Sequence, residues 1–474
     1  MILKAVLQSC LLKHLKKEDL SAEGGRKMHM HFQYFIIKQY SVKNTDFPLD
    51  MDGVGHMKNF DAKWYFDSRV WNYGVERLER EMKHPEILKK IEQMTDATAF
   101  EACRYLTEEN FSKLSDKELA GALEKYYIYF QTILRAASTL RILDRGVIHK
   151  IKNDSRFPNS DEVLRKISTN VRPSFMIQEE EACCKAAMTK EEDAAEKVFN
   201  DFAWITCGYY DEKPRTLSWY QERVAALTKN NPDNALEELE EKVKHDISER
   251  ETIVKTLSGE DKTLADIASL STYLKDQYKF NVNKIIYYSE PLFQEIGLRL
   301  GISFDEAKDI WPEDACRYIS ERKFDKTLND SKLIHNVLWV ENAEFHSCFG
   351  KEADEFYKTY LEEDHTGKKE FKGRVASLGN VRGKAIVITD TKDFKKMEKD
   401  RILVVVNTSP DYVPIMHMAK GIVAEEGGLT AHVSVVSREF RIPAIVGIKD
   451  ICKAIKDGDE IELNTDKGIV RILN

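Results

Sequence analysis

Long apolar runs are missing from this 474-residue chain. No stretch approaches the roughly 18 residues that a membrane-spanning helix needs, so no membrane partner is expected. An excess of basic residues is missing too. Lys and Arg number 72 against 80 Asp and Glu, a net charge of -8 with pI near 5.9. A general nucleic-acid binder needs a basic face to neutralise phosphates, so no nucleic-acid partner is expected. The eight cysteines contain no C-x-x-C pair. Neither a disulfide framework nor a structural zinc site follows from their spacing, which suits a reduced, cytoplasmic protein. The amino terminus lacks a small-residue cleavage site, and Lys13, Lys16 and Lys17 follow it closely, so no secretory signal is expected. Leu3, Leu7, Leu11 and Leu15 read instead as one face of a helix. What remains is ordinary for a soluble globular chain of two or three domains: 42% hydrophobic and 32% charged residues, with a mean hydropathy of -0.47.

Composition shifts near residue 372. From Gly373 to Asn474 there are 26 Val and Ile and nine Gly, whereas all six tryptophans fall earlier. The later part carries 16 Lys and Arg against 14 Asp and Glu, so the acidic excess belongs to the first part. The polar stretch Glu362-Glu363-Asp364-His365-Thr366-Gly367-Lys368-Lys369 is a plausible hinge between them.

Before the join the dominant period is helical. Leu119, Leu123, Tyr126, Tyr127, Phe130, Ile133 and Leu134 form an apolar stripe. Pro232-Asp233-Asn234 marks a helix start, and Thr263 to Leu300 reads as one long helix or a broken pair. Little here reads as strand. After the join, short apolar segments at 384–388, 402–406, 421–424, 444–446, 460–463 and 469–472 read as strands, the continuous ones buried on both faces. Short helices are predicted over 411–418 and 430–440. The expected architecture is multidomain: a large all-α N-terminal domain over residues 1–372 and a compact C-terminal β/α domain over residues 373–474.

Several motifs fail on inspection. Gly379-Asn380-Val381-Arg382-Gly383-Lys384-Ala385 is one residue short of a P-loop and has Ala385 where the magnesium-binding hydroxyl belongs, so it reads as a turn. Asp50-Met51-Asp52-Gly53 lacks the later ligands of a calcium loop, and Gly53-Val54-Gly55 lacks the rest of a dinucleotide fingerprint. His29 and His31 have no third ligand nearby, and no metal cluster is expected.

The informative segment is GGLTAHVSVVSREFRIPAIVG, residues 427–447. Gly427 and Gly428 allow a tight turn and close approach to a ligand. Thr430 suits the N-cap of a helix that begins at Ala431, which places His432 in its first turn. Unpaired backbone N–H groups and the helix dipole favour negative charge there. A neutral imidazole could attack a phosphoryl group, and the same loop would hold the phosphate once attached. A histidine that merely helps cap the helix is the plainer alternative. Arg438 could supplement a phosphate site, but six residues of helix put it about 9 Å along and on another face, so a structural ion pair is equally consistent.

The segment resembles the phosphohistidine swivelling domain of the phosphoenolpyruvate-utilising enzymes, the type found in phosphoenolpyruvate synthase, pyruvate phosphate dikinase and rifampicin phosphotransferase. The pattern is met by Gly427, Gly428, Thr430, His432, Arg438, Glu439, Ile442, Pro443, Ala444, Val446 and Gly447. Flanking matches are Gly379, Gly383, Thr408, Pro410, Asp457-Gly458-Asp459 and Gly468. Val433 and Ser434 replace common alanines, and Phe440-Arg441 replaces a frequent Leu-Gly. Arg441 adds a positive charge that could bind phosphate or alter docking. Phe202-Ala203-Trp204-Ile205, Gly208-Tyr209-Tyr210 and Glu295 to Ile302 are similar to the helical acceptor-binding domain of the rifampicin phosphotransferase type. Trp204, Tyr209 and Trp219 could line an acceptor pocket or fill core.

The resemblance implies that His432 carries a phosphoryl group between two sites as its domain rotates. Nothing before residue 372 is similar to the family's ATP-grasp module, and no pyruvate-binding barrel follows. ATP and Mg2+ are therefore expected through a partner ATP-grasp protein acting in trans, with no cofactor bound by this chain alone. The other partner would be a small-molecule acceptor, or a phosphoenolpyruvate/pyruvate-type donor. The implied function is a phosphotransferase subunit with a phosphohistidine intermediate; the alternative is a non-enzymatic phosphocarrier or regulatory module.

Overall fold

The helical period is realised as a succession of helices: α1 (Val70–Lys83), α2 (Glu86–Glu108), α3 (Asp116–Lys152), α4 (Ser160–Ile167), α5 (Phe175–Thr189), α6 (Ala194–Phe202), α7 (Leu217–Lys229), α8 (Pro232–Val254), α9 (Gly259–Tyr288), α10 (Glu290–Leu300), α11 (Phe304–Lys308), α12 (Pro312–Glu321) and α13 (Lys326–Ile334). The computed structural model describes residues 20–27, 53–58, 61–67 and 70–474, apart from 84–85, 155, 157–159, 190, 208–212, 342–343, 357, 359–367, 409–411, 426–431, 449 and 474. The leucine stripe of the first fifteen residues, His29, His31, Tyr209 and most of the polar stretch before residue 370 lie outside the described residues. The chain divides into two compact units, one built mainly from residues 66–350 and the other mainly from 351–474.

In the first unit α3 is the central helix. Its predicted stripe is buried at all seven positions, from Leu119 to Leu134. Ser115 starts it with a capping box: its side chain accepts the Glu118 N–H while Glu118 accepts the Ser115 N–H at 2.8 Å. Helices α1, α9 and α12 pack on α3, and α2 packs on α9. The long segment predicted after Thr263 is a broken pair. Helix α9 ends at Tyr288 and α10 restarts with Pro291 in its first turn, where a missing N–H costs no helical bond. Near the end of α10, Arg299 bonds Glu295 at 2.7 Å, Asp116 at 2.9 Å and the carbonyls of Phe111 and Leu114. The Glu295 to Ile302 stretch is thus a helix end tied to the start of α3.

The expectation of an all-α region before residue 372 is corrected. Strands β1 (Leu20–Lys27), β2 (Gly53–Lys58) and β3 (Asp61–Asp67) precede the helices, and β4 (His335–Glu341) and β5 (Glu344–Phe349) follow them. Strand β4 pairs antiparallel with both β2 and β5. Val337, Leu338 and Trp339 are a short buried run of β-branched and aromatic character, which sequence periodicity alone does not separate from a buried helical turn. Gly53-Val54-Gly55 lies in β2, not in a nucleotide-binding turn.

The main stretch of the second unit, residues 351–474, opens within α14 (Gly350–Phe356) and carries an eight-stranded sheet. Its elements are β6 (Glu370–Lys372), β7 (Arg374–Ser377), β8 (Val381–Val387), β9 (Ile402–Val405), α15 (Val413–Met416), β10 (Gly421–Ala424), α16 (His432–Glu439), β11 (Ala444–Val446), α17 (Ile451–Ala454), β12 (Glu460–Asn464) and β13 (Ile469–Ile472). The expected boundary at residue 373 falls between β6 and β7, both of which belong to the sheet. Strand order is β6-β13-β12-β8-β9-β10-β11-β7. The four central strands β8 to β11 are parallel, flanked by antiparallel pairs.

Alternation along the central strands buries both faces. Leu403, Val405, Ile422, Ala424, Ala444 and Val446 face a core that includes Val433 and Val436 of α16. Ile402, Val404, Val423 and Ile445 face the other core with Ile451 and Ile461.

Candidate functional site

Parallel strands β9, β10 and β11 all end on one edge of the sheet, and the loops after them lie at their carboxyl ends. Open α/β sheets bind ligands at this edge. Helix α16 starts there: the chain leaves β10 at Ala424, and His432 is the first residue of α16 before the return into β11. The first N–H groups of a helix have no intrahelical acceptor and the dipole leaves partial positive charge there. An anionic group at this point meets favourable electrostatics.

Helix α16 is held against the sheet by small and β-branched residues. Val433, Ser434, Val436 and Ser437 are buried, and the Ser437 hydroxyl donates to the Val433 carbonyl at 2.6 Å. Val433 and Ser434 are thus packing positions in the first turn. Gly427, Gly428 and Thr430 lie outside the described residues. Arg438 is exposed in the last turn, where a cation complements the carboxyl end of the helix. Ideal helix geometry separates it from His432 by about 9 Å along the axis, so α16 does not bring the two together.

Helix α16 ends in a Schellman turn. The Ile442 N–H donates to the Ser437 carbonyl at 2.9 Å, and Arg441 takes a left-handed conformation with φ of 56°. This is where the resemblance expects glycine. Arg441 is exposed and lies beyond the far end of α16, about 12 Å of helix from His432. Its charge belongs to the helix terminus.

Sequence reasoning missed Glu425, directly after β10. It is 7% exposed, its N–H donates to the Val405 carbonyl, and its carboxylate accepts the Cys452 N–H at 2.9 Å. A charged residue following four apolar ones reads as a strand end, and its partner 27 residues on has no local signature. Two more polar residues are buried at the same edge, Thr408 and Asp450.

The flanking matches have structural reasons. Gly379 has φ of 138°, and a Cβ there would come within 2.6 Å of the Pro443 ring. Its N–H donates to Thr465 Oγ1 at 2.8 Å, so the P-loop-like segment opens in a turn tied to the end of β12, while from Val381 onwards it is strand β8 rather than turn. Asp457 accepts the Val387 N–H at 2.6 Å and Asp459 accepts the Lys456 N–H at 2.9 Å, closing the turn before β12. Among the described residues no group of three or more His, Cys, Asp and Glu could hold a metal ion. No helix among them is long and apolar enough to cross a membrane.

Residues 397–468 match the family described as PEP-utilising enzyme, mobile domain. A probable phosphoenolpyruvate synthase of Archaeoglobus fulgidus is 44% identical over 120 residues, 25% of this chain and 15% of that protein. The phosphoenolpyruvate synthase of Aeropyrum pernix is 44% identical over 100 residues, covering 21% of this chain and 12% of its own. The rifampicin phosphotransferase of Bacillus cereus is 39% identical over 101 residues, again 21% and 12%. The chain thus spans between 12 and 15% of the length of these relatives. The matched span runs from just before β9 to the turn that opens β13 and encloses the whole crossover bearing His432. Residues 397–468 thus carry the mobile domain that the phosphoenolpyruvate-utilising enzymes share.

Proposed function

We propose that the chain is a phosphotransferase component in which His432 carries a phosphoryl group. The carrying observation is the position of His432 as first residue of α16 at the carboxyl edge of the parallel strands, inside the span shared with the family. A ring nitrogen of His432 attacks the γ-phosphorus of ATP, an N–P bond forms, and the P–O bond to the β-phosphate breaks with ADP as the leaving group. In the second half-reaction an acceptor oxygen attacks, the N–P bond breaks and the acceptor proton leaves to a base. Gly427, Gly428 and Thr430 supply the loop that receives the phosphate, while Arg438 serves as charge at the other end of the helix.

The nucleotide and its Mg2+ come on a separate ATP-grasp protein, and the acceptor is a small molecule held by the helical unit. Phosphoryl transfer is largely positioning and charge stabilisation, so a carrier needs little beyond a nucleophile and an anion-binding loop. The polar stretch around residues 362–369 is the proposed hinge for carrying the group between sites.

The test is incubation with an ATP-grasp partner, Mg2+ and ATP labelled in its β and γ phosphates. Acid-labile label on the wild type and none on His432→Ala supports the reading. Equal labelling of both proteins overturns it. Label that forms but passes to no small molecule would mark a regulatory phosphocarrier instead.

A further inference from the structure

Helix α9 carries a polar stripe along one wall of an open cleft in the helical unit. Gln277, Asn281, Lys284 and Tyr288 recur at helical spacing and line a cavity of about 460 Å³. Across it, α2 presents Asp96, Ala99, Phe100 and Cys103 at the same spacing. These polar side chains are partly buried, Asn281 fully so, and withdrawing polar groups from water costs free energy unless each finds a partner. Part of this stripe is satisfied internally: Asp96 Oδ1 accepts from Asn281 Nδ2 at 2.9 Å and Gln277 Nε2 at 3.2 Å. Asn281, only 3% exposed, is thereby fixed with its amide at the cavity wall.

Lys284 is the unusual member. Its ammonium lies 4.5 Å from the ring centroids of both Phe175 and Trp204, and among the described residues no carboxylate is within ion-pair distance. Burial pushes its pKa below the ordinary lysine value, with Cys103 and Asp96 pulling the other way. Burial likewise pushes the Cys103 thiol up to about 11, so it is a neutral wall group. Of the aromatics singled out in the sequence, Trp204 lines this cavity, whereas Trp219 stacks instead under Arg215 at 3.8 Å.

We propose that this cavity binds a neutral, hydroxyl-bearing ring compound, the acceptor of the phosphoryl group, an assignment that rests on the function proposed above. The cavity volume lies in the range of small-molecule sites. Two carboxylates, Asp96 and Asp201, face one ammonium, which disfavours an anionic ligand. Their oxygens and the amide oxygens of Gln277 and Asn281 call for hydroxyl donors. Phe100, 72% exposed at the cavity, and Tyr288 offer apolar surface for a ring. On transfer, the ligand oxygen forms the new O–P bond as the N–P bond breaks, and its proton passes to the Asp201 carboxylate. Lys284 offsets charge on the incoming phosphoryl group.

The test is saturation-transfer NMR and calorimetry on the full chain with catechol, phenol, myo-inositol and benzoate as probes. Binding of at least one hydroxylated probe, tighter than benzoate, is expected. Asp201→Ala removes an exposed side chain and should weaken that probe about tenfold, as should Lys284→Met. No binding by any hydroxylated probe, or binding unchanged in both variants, overturns the proposal. His432→Ala should bind the probe as the wild type does. Binding without any labelling of His432 would sustain the pocket as a ligand site and sink the phosphoryl-carrier reading, whereas labelling without binding would do the reverse.

Discussion

The Glu425 carboxylate accepts the backbone N–H of Cys452 at 2.9 Å. That bond ties the residue following β10 to the first turn of α17, which follows β11. Two of the loops at the carboxyl edge are therefore held together by one buried acid. Removing it takes the acceptor from a partly buried N–H, at a cost of about 1 kcal/mol. Glu425→Ala should lower the urea-unfolding free energy of the C-terminal unit by that amount, and Glu425→Gln by less because an acceptor oxygen remains. Equal stability of Glu425→Ala and wild type would show that the bond contributes nothing.

Arg441 sits in a conformation that costs an L-residue about 1–2 kcal/mol and glycine almost nothing. Part of the gain on substitution is offset by the greater freedom of glycine in the unfolded chain. Arg441→Gly should raise the stability of the C-terminal unit by up to about 1 kcal/mol, read as a higher urea midpoint at unchanged slope. Because Arg441 is exposed and far from His432 along α16, phosphorylation of His432 should be unaffected. A variant less stable than wild type would mean that the Arg441 side chain contributes more than its backbone costs.

Gly379→Ala should act in the opposite direction. The added methyl meets the Pro443 ring at 2.6 Å while φ remains 138°, so strain and overpacking combine. A loss of about 1–3 kcal/mol is expected in thermal or urea unfolding. Pro443→Ala in the Gly379→Ala background should recover part of the loss, and failure to recover any would place the strain in the backbone alone.

The central architecture was legible for reasons visible in particular residues. The α3 stripe from Leu119 to Leu134 is buried throughout, so its period reported tertiary packing directly. Strands β10, β11 and β13 are apolar segments bounded by Gly, Lys or Pro, and their sequence limits coincide with the observed ones. Strands β6 and β7 were not legible. In β6 only Phe371 is buried between two exposed residues, and β7 opens with an exposed Arg374, so neither leaves a pattern long enough to read. Partnerships across long separations were equally silent: Asn281 meets Asp96 from 185 residues away, and nothing local in either helix announces it. The Arg441 departure, by contrast, was legible as an anomaly, and its left-handed backbone gives the physical reason.

The helical unit should weaken in acid through Glu306. The Lys326 ammonium bonded to its carboxyl, with the N–H and hydroxyl of Ser303, holds its pKa at about 2 against an ordinary 4.5. A depressed folded-state pKa contributes stability that is complete above the unfolded value and lost as pH falls through the folded one. Unfolding free energy should therefore decline as pH falls from about 4.5 towards 2. Glu306→Gln should flatten that part of the profile, with only a modest change near neutrality because the pair is partly solvent-screened. An identical acid profile for wild type and variant would remove Glu306 from the account.

The most direct measurement of the central claim is the position of the phosphate. The phosphorylated chain is isolated after reaction with an ATP-grasp partner, digested at alkaline pH to preserve phosphoramidates, and mapped by mass spectrometry. The account predicts phosphate on His432 and its loss from the isolated protein when catechol or another hydroxylated acceptor is added. Phosphate on Ser434, Ser437 or Thr430 with His432 unmodified, or a chain that takes no phosphate from any such partner, would contradict it.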